Sequence, residues 1–442
     1  MISFLTLFLG LIAGEHAVEV SVAGPVAAVV FELDGARVAR VEAPPWKAVV
    51  DFGKELAPHE VVARAYDEGG HEMGQARQMV NLPRQPAEIE VLVEKDALGS
   101  VRRATLAPDS LVASRPTSVA VTFDGHTLPM APGALSVDLP AYDVETTHLL
   151  SVIARFPSSL QSRRDLVVGG AASGEARSAL TALPVRLKSA EPPTVATLSH
   201  TFVKDGQPLV PVAVEHGAAQ LLIVRDLSAD EAISRLGSGA KTLFDAARLG
   251  TSPIYDPEAM RQQMRLDDED RIRFIWPRAA VSAAKTPTEL FENSHDFSPK
   301  DGGLHWLLTR VYHPAKGESN LRFADAVAVA GLQAFQSYNR RAVLLVIGAK
   351  SKDTSLYDPA TVIGYLQRIN VPLYVWSLVE PSKRGSGGWS NVADVSSAAK
   401  MRPAFDRLKE DLDSQWIVWF SGEYRPAAIT VAPGASDVEI VR

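Results

Sequence analysis

The chain has 442 residues, 46% of them hydrophobic and 22% charged, with a formal net charge of −7 and no cysteine. That length exceeds one compact core and predicts several domains. The acidic balance, with no Lys/Arg cluster to reverse it, argues against a nucleic-acid partner. The lack of cysteine excludes disulfides and thiolate-held metal.

In chain order, Met1 to Ala13 is almost wholly apolar and runs into Gly14, Glu15, His16 and Ala17. Such a run is too short for a bilayer-spanning helix, which needs roughly 20 apolar residues, and suits a secretory signal over residues 1–17. No Lys or Arg precedes it, and its other reading is a buried first strand or helix. No later run is long enough to cross a bilayer. The expected location is therefore secreted, periplasmic or cell-surface, with no membrane-spanning segment beyond the signal.

Short alternating strands follow: Val26–Leu33 into the turn pair Asp34-Gly35, then Trp46–Phe52, then His59–Tyr66 into Asp67, Glu68, Gly69 and Gly70. This spacing predicts a β-sandwich over 18–84. The pattern repeats with Ser118–Phe123, Asp124-Gly125 and His148–Phe156, predicting a second sandwich over 85–188. Phe31, Asp34-Gly35, Pro45-Trp46, His59, Val61, Ala63, Ala65, Asp67 and Gly70 together resemble the bacterial immunoglobulin-like repeat. Asp124-Gly125, His148 and Ala154 repeat part of it without a matching Pro-Trp segment. The resemblance implies immunoglobulin-like modules that act as spacers or binding elements without chemistry.

A Pro-punctuated stretch at 189–217 predicts a linker or edge strands. Apolar strands then alternate with helical segments over 218–442: strand Leu221–Val224, helix 229–248, strand Arg271–Trp276, helix 321–338 and strand Ala342–Ile347. Helix 359–369, strand Val371–Trp376, helix 401–413 and strand Trp416–Phe420 complete the series. This is the signature of an α/β layered domain with a mainly parallel sheet. Its first strand ends in Asp226-x-Ser228-x-Asp230, where oxygen-bearing side chains two residues apart can face one hard cation.

Four segments, Asp226–Asp230, Leu321–Phe335, Arg340–Gly348 and Val371–Trp376, with the tail around Gln415–Trp419, resemble the von Willebrand factor type A (VWA) domain, in its Acidobacteria-type variant. The resemblance implies a Rossmann-like three-layer fold with a C-terminal β extension. It also implies a Mg²⁺ or Mn²⁺ adhesion site built from Asp-x-Ser-x-Ser, a threonine and an aspartate. Here Asp230 replaces the second serine, Ser319 stands nearest the threonine, and Ile347-Gly348-Ala349-Lys350 replaces the third loop's Asp-Gly. Asp226, Ser228, Asp230, Ser319 and Gly348 are thus the expected binding residues of a degenerate site. Asp226, Ser228 and Asp230 would be its metal ligands if it binds an ion, and Asp353 could reach in from downstream.

His295-Asp296, His305 and His313 have no ligand-pair spacing, and the acids Asp267 to Asp270 suit a solvated turn. No serine sits in a nucleophile elbow and no phosphate loop is present. The expected function is non-enzymatic. It is protein-protein interaction or extracellular scaffolding, with no cofactor, through the loops Asp226–Asp230, His313–Asn320 and Gly348–Asp358, joined by an exposed Trp389. The alternatives are a metal-dependent adhesion protein with an altered ligand shell and an uncharacterised hydrolase.

Overall fold

A computed structural model describes all residues except 1, 7, 9, 23, 83–86, 97–99, 111–114, 157–160, 171–179, 189–190, 227–232, 234–263, 280–290, 312–320, 349–352, 381–386 and 423. The strands β1 (Ile2–Phe4), β2 (Glu15–Val22), β3 (Ala28–Leu33), β4 (Ala36–Val41), β5 (Lys47–Asp51), β6 (His59–Tyr66) and β7 (Glu72–Val80) form two facing sheets. Their orders are β1-β2-β5 and β4-β3-β6-β7. The inward residues Val18, Val29, Phe31, Val50, Val61 and Ala63 fill the core between them. Alternation along β5, buried only at Ala48 and Val50, is what the period of a half-buried strand requires. Asp34 and Gly35 both take positive φ, 54° and 84°, as a two-residue hairpin turn demands. The apolar N-terminal run contributes β1, which pairs antiparallel to β2 and buries Ile2.

The second sandwich repeats this plan with β8 (Ala87–Lys95), β9 (Val101–Ser110), β10 (Ser118–Phe123), β11 (His126–Thr127), β12 (Ser136–Asp138), β13 (Thr147–Arg155) and β14 (Gln161–Gly169). Its sheets are β11-β10-β13-β14 and β12-β9-β8. A further pair of small sheets follows, built from both sides of the α/β segment. Before it come β15 (Leu180–Leu187), β16 (Phe202–Lys204), β17 (Gln207–Leu209) and β18 (Pro211–Glu215). After it come β25 (Gln415–Ser421), β26 (Ile429–Val431) and β27 (Val438–Ile440), giving the orders β18-β25-β15-β27 and β17-β16-β26. The stretch expected as a linker thus supplies β16 to β18, and the expected C-terminal extension supplies their partners.

Between β18 and β25 lie β19 (Ala219–Arg225), β20 (Arg271–Ala279), β21 (Phe291–Asn293), β22 (Arg340–Ile347), β23 (Leu373–Ser377) and β24 (Val392–Asp394). Among the described residues these helices interleave with them: α1 (Leu304–Arg310), α2 (Phe323–Gln336), α3 (Pro359–Arg368) and α4 (Ala398–Asp413). The sheet order is β21-β20-β19-β22-β23-β24, parallel throughout except for β20 against β21. Helices cover both faces. Leu222, Val224, Val343, Leu345 and Ile347 pack with α2 and α3, while Leu221, Ile223, Leu344 and Val346 pack with α1 and α4. Burial on both faces is why these strands read as unbroken apolar runs rather than alternating ones. The small residues of α2 let it lie deep in its layer, with Gly331 so close to Leu366 of α3 that a Cβ there would meet it at 3.0 Å.

The chain divides into two compact units, Met1–Pro83 with His216–Gln415 and Val441–Arg442, and Arg84–Glu215 with Trp416–Ile440. In the first unit the N-terminal sandwich is fastened to α3. Leu56 is fully buried in the same cluster as Val362 and Tyr365. The Tyr365 hydroxyl donates to the Asn81 carbonyl at 2.8 Å, and Arg368 Nη1 donates to the Leu56 carbonyl at 3.0 Å. Among the described residues no helix is long and apolar enough to cross a membrane.

Candidate functional site

Adjacent strands β19 and β22 send the chain in opposite directions across the sheet, β19 toward β20 and β22 through α3 to β23. The C-terminal ends of strands at such a reversal are the usual place for a ligand in an open α/β sheet. Asp226 and Gly348 are the first residues beyond these two strands. The Asp226 N–H donates to the Val346 carbonyl at 2.9 Å, and its Oδ2 accepts from the Gly348 N–H at 2.8 Å. Two candidates separated by more than a hundred residues therefore meet, and Asp226 is fully buried. Ser228, Asp230 and Ser319 lie outside the described residues, as do His313 and the expected helix 229–248 except for Ile233, which is helical and buried.

The N-terminus of α2 is held by Asp353 and Ser355, from the chain after β22. Asp353 accepts from the N–H groups of Phe323 and Ala324 at 3.0 and 3.2 Å, satisfying donors that the first helical turn leaves open. Asp325 returns the arrangement, accepting from the N–H groups of Leu356 and Tyr357 at 2.9 and 3.2 Å while Arg322 donates to its Oδ2 at 2.7 Å. Thr354 donates to the Leu321 carbonyl through both its N–H, at 2.8 Å, and its hydroxyl, at 3.1 Å. The Tyr357 hydroxyl reaches the Leu11 carbonyl at 3.1 Å, and burial raises its pKa above the ordinary phenol value. Asp358 caps α3, accepting from the Thr361 N–H at 2.9 Å, which holds its carboxyl below the usual range. On this fixed backbone Leu356 stands 75% exposed.

These described residues do not assemble a cation shell. Asp226 directs one oxygen to a backbone amide, Gly348 has no side-chain oxygen, and Asp353 is committed to α2 rather than turned to a cation. Among the described residues no group of three or more His, Asp or Glu side chains could hold a metal.

Two other expectations change. The run Asp267 to Asp270 is not merely a solvated turn, because Asp270 is fully buried. It accepts from the Ala219 N–H at 2.7 Å and the Asp267 N–H at 3.0 Å, and it meets Arg340 Nη2 at 3.3 Å. Burial raises its pKa, opposed by these donors and the Arg340 guanidinium. Trp389, expected as an exposed recognition residue, is buried in the core beside α2 and α3, where the returning loop lays Gly388 over Pro359. The described histidines serve separate places: His295 packs its ring 4.2 Å from Phe297, and His305 is buried on α1. Asp296 forms a two-point pair with Arg273, both bonds at 2.8 Å. Local pattern could not have shown the burial of Asp270, since its partner Arg340 lies 70 positions away.

No protein-family model matches this chain, and no curated protein matches it. Among solved structures, it is similar to the fibronectin(III)-like modules of Clostridium thermocellum CbhA, at 17% identity and a TM-score of 0.17 over 18% of this chain and 93% of that one. It is also similar to the central fibronectin-III array of RIM-binding protein, at 10% identity and a TM-score of 0.22 over 46% and 81%. A third is a tetra-tandem repeat in the extending region of a large adhesion protein, at 14% identity and a TM-score of 0.14 over 44% and 53%. TM-scores this low do not establish a shared fold or function.

Proposed function

We propose that this chain is a non-enzymatic, exported interaction protein whose 216–415 segment is a VWA-type three-layer domain without a working metal site. Its two tandem immunoglobulin-like sandwiches serve as scaffold. The partner is a protein, and the contact surface is the C-terminal edge of the parallel sheet. The observation that carries this is Leu356, 75% exposed on a backbone fixed by Asp325 and Thr354. A large apolar side chain held in place loses little further freedom on binding, which is the property of an interface anchor. The neighbouring carboxylates are occupied by backbone amides, so contact there would rest on shape and apolar burial rather than on a bridging cation.

The test compares capture of partners from the source cell's envelope extract by the full chain, by Leu356→Asp and by Val49→Asp, a matched change at an exposed strand position in the first sandwich. A protein retained by the full chain and by the Val49 variant, and lost with the Leu356 variant, supports the proposal. Equal retention by all three removes this edge as the contact surface. Thermal unfolding with Mg²⁺, Mn²⁺ or EDTA addresses the metal-dependent alternative. An ion at 100 times its dissociation constant would add about 2.7 kcal/mol, and the expected result is no shift. A shift abolished by Asp226→Ala would restore metal-dependent adhesion.

A further inference from the structure

The two sandwiches carry the same clasp, but only one of them is wired for charge. In the first, Asp34 Oδ2 accepts from His59 Nδ1 at 2.8 Å and Oδ1 accepts from the Glu60 N–H at 2.9 Å. In the second, Asp124 Oδ2 accepts from His148 Nδ1 at 2.6 Å and Oδ1 accepts from the Leu149 N–H at 2.8 Å. Each clasp ties an Asp-Gly hairpin turn to the start of a central strand of its sheet, β6 in the first and β13 in the second. They differ at the far side of the ring. His59 Nε2 is buried and meets no hydrogen-bond partner among the described residues. His148 Nε2 lies 2.9 Å from the Asp143 carbonyl and 2.7 Å from Thr146 Oγ1.

The partners of the second ring favour its charged state. The Asp124 carboxylate and the Asp143 carbonyl can only accept. With a proton on each nitrogen, the ring donates to both at once, and the Thr146 hydroxyl is left to donate to the Asp143 carbonyl at 3.0 Å. Once Nε2 loses its proton it can no longer hold the Asp143 carbonyl, and only a turned Thr146 hydroxyl can still meet it. The titratable groups around the ring are Asp124 from the hairpin turn, and Asp143 and Tyr142 from the loop before β13. The Asp143 carboxylate accepts from the Glu145 N–H at 3.0 Å. The Tyr142 ring lies edge-on at 5.0 Å, and its hydroxyl accepts from the Val101 N–H of β9 at 2.8 Å. Phe123 of β10 stacks at 5.3 Å, and Gly169 of β14 leaves room for the imidazole edge. Burial works against the charge, but the Asp124 and Asp143 hydrogen bonds and the two carboxylates outweigh it, so the His148 pKa lies above the ordinary histidine value.

We propose that His148 is a proton-operated latch, which as an imidazolium clips the Asp124-Gly125 turn to the 140–146 loop and releases that loop when it loses its proton. The sign follows from linkage. A histidine whose folded pKa is raised contributes stability that is complete below about 6.5, its unfolded value, and that is lost as pH rises through the folded pKa. Through Tyr142 the loop also touches the opposite sheet, so release loosens one end of the second sandwich.

The test titrates the histidine rings of the full chain by NMR from pH 5 to 9, with His148 assigned by loss of its signal in His148→Asn. Hydrogen exchange of segments 124–128 and 140–149 is followed over the same range after correction for intrinsic chemistry. The expected result is a His148 midpoint above the ordinary value and about a tenfold loss of protection in both segments across that midpoint. Asp124→Asn should lower the midpoint. A midpoint at or below about 6.5, or protection that does not change with pH in the unaltered chain, overturns the proposal.

Discussion

The two ends of the parallel sheet share their charges out differently, although Asp270 also accepts backbone amides and Asp325 also meets Arg322. At the N-terminal end, side chains pair with each other: Asp270 with Arg340, and Lys409 with Asp267 and Asp413. At the C-terminal end, Asp226, Asp325, Asp353 and Asp358 accept backbone amides and fix loops. The first end is closed by ion pairs, while the second ties the backbone of 353–358 and leaves Leu356 in water.

The strongest way to break the contrast is to remove Asp270. Asp270→Ala takes from the buried Arg340 guanidinium its buried carboxylate and from the Ala219 N–H its acceptor. Urea unfolding should show a loss of about 3–5 kcal/mol. Asp325→Ala probes the other end. It frees the Leu356 and Tyr357 amides, with an expected cost of about 2 kcal/mol and faster hydrogen exchange confined to 353–358. Next comes pH. Asp394, the last residue of β24, is held down at about 2, first by the Lys400 ammonium and then by Ser396. Its contribution is complete above the ordinary carboxylate value and disappears as pH falls through about 2. Carboxyl NMR should follow this, and Lys400→Ala should move the titration up toward the usual range. The smallest effect on folding is expected from Leu356→Ser, within about 0.5 kcal/mol, although the same change should abolish partner capture.

Much of this molecule was legible from local pattern. Alternation and turn pairs located β3, β5, β6, β10 and β13, and the unbroken apolar runs located β19 and β22. The Asp-Gly and His positions that marked the repeat prove to be hydrogen-bonded partners in both sandwiches. The resemblance that singled out Asp226 and Gly348 named two residues that do meet. What stayed hidden depends on partners distant in sequence. Asp353 looks like a loose loop acid until α2 is placed against it, and Trp389 looks like a loop tip until the loop returns over Pro359. The pairing of β18 with β25 had no local signal either, because the whole α/β segment lies between them.

That pairing gives the Arg340 cluster a role in the order of events during synthesis. β18 finds β25 only after about 200 further residues have been made, and closing a flexible loop of that length would cost on the order of 5 kcal/mol in chain entropy. Arg340 removes most of that span, since Nε donates to the Gly217 carbonyl at 2.9 Å and Nη1 to the Leu412 carbonyl at 2.9 Å. One guanidinium holds the first and last turns of the intervening segment together. Once that segment has folded, the nascent β25 emerges tethered close to where β18 ended. The late strand then completes its sheet as if across a short hairpin, and a ribosome that stops before residue 415 leaves β18 without its neighbour.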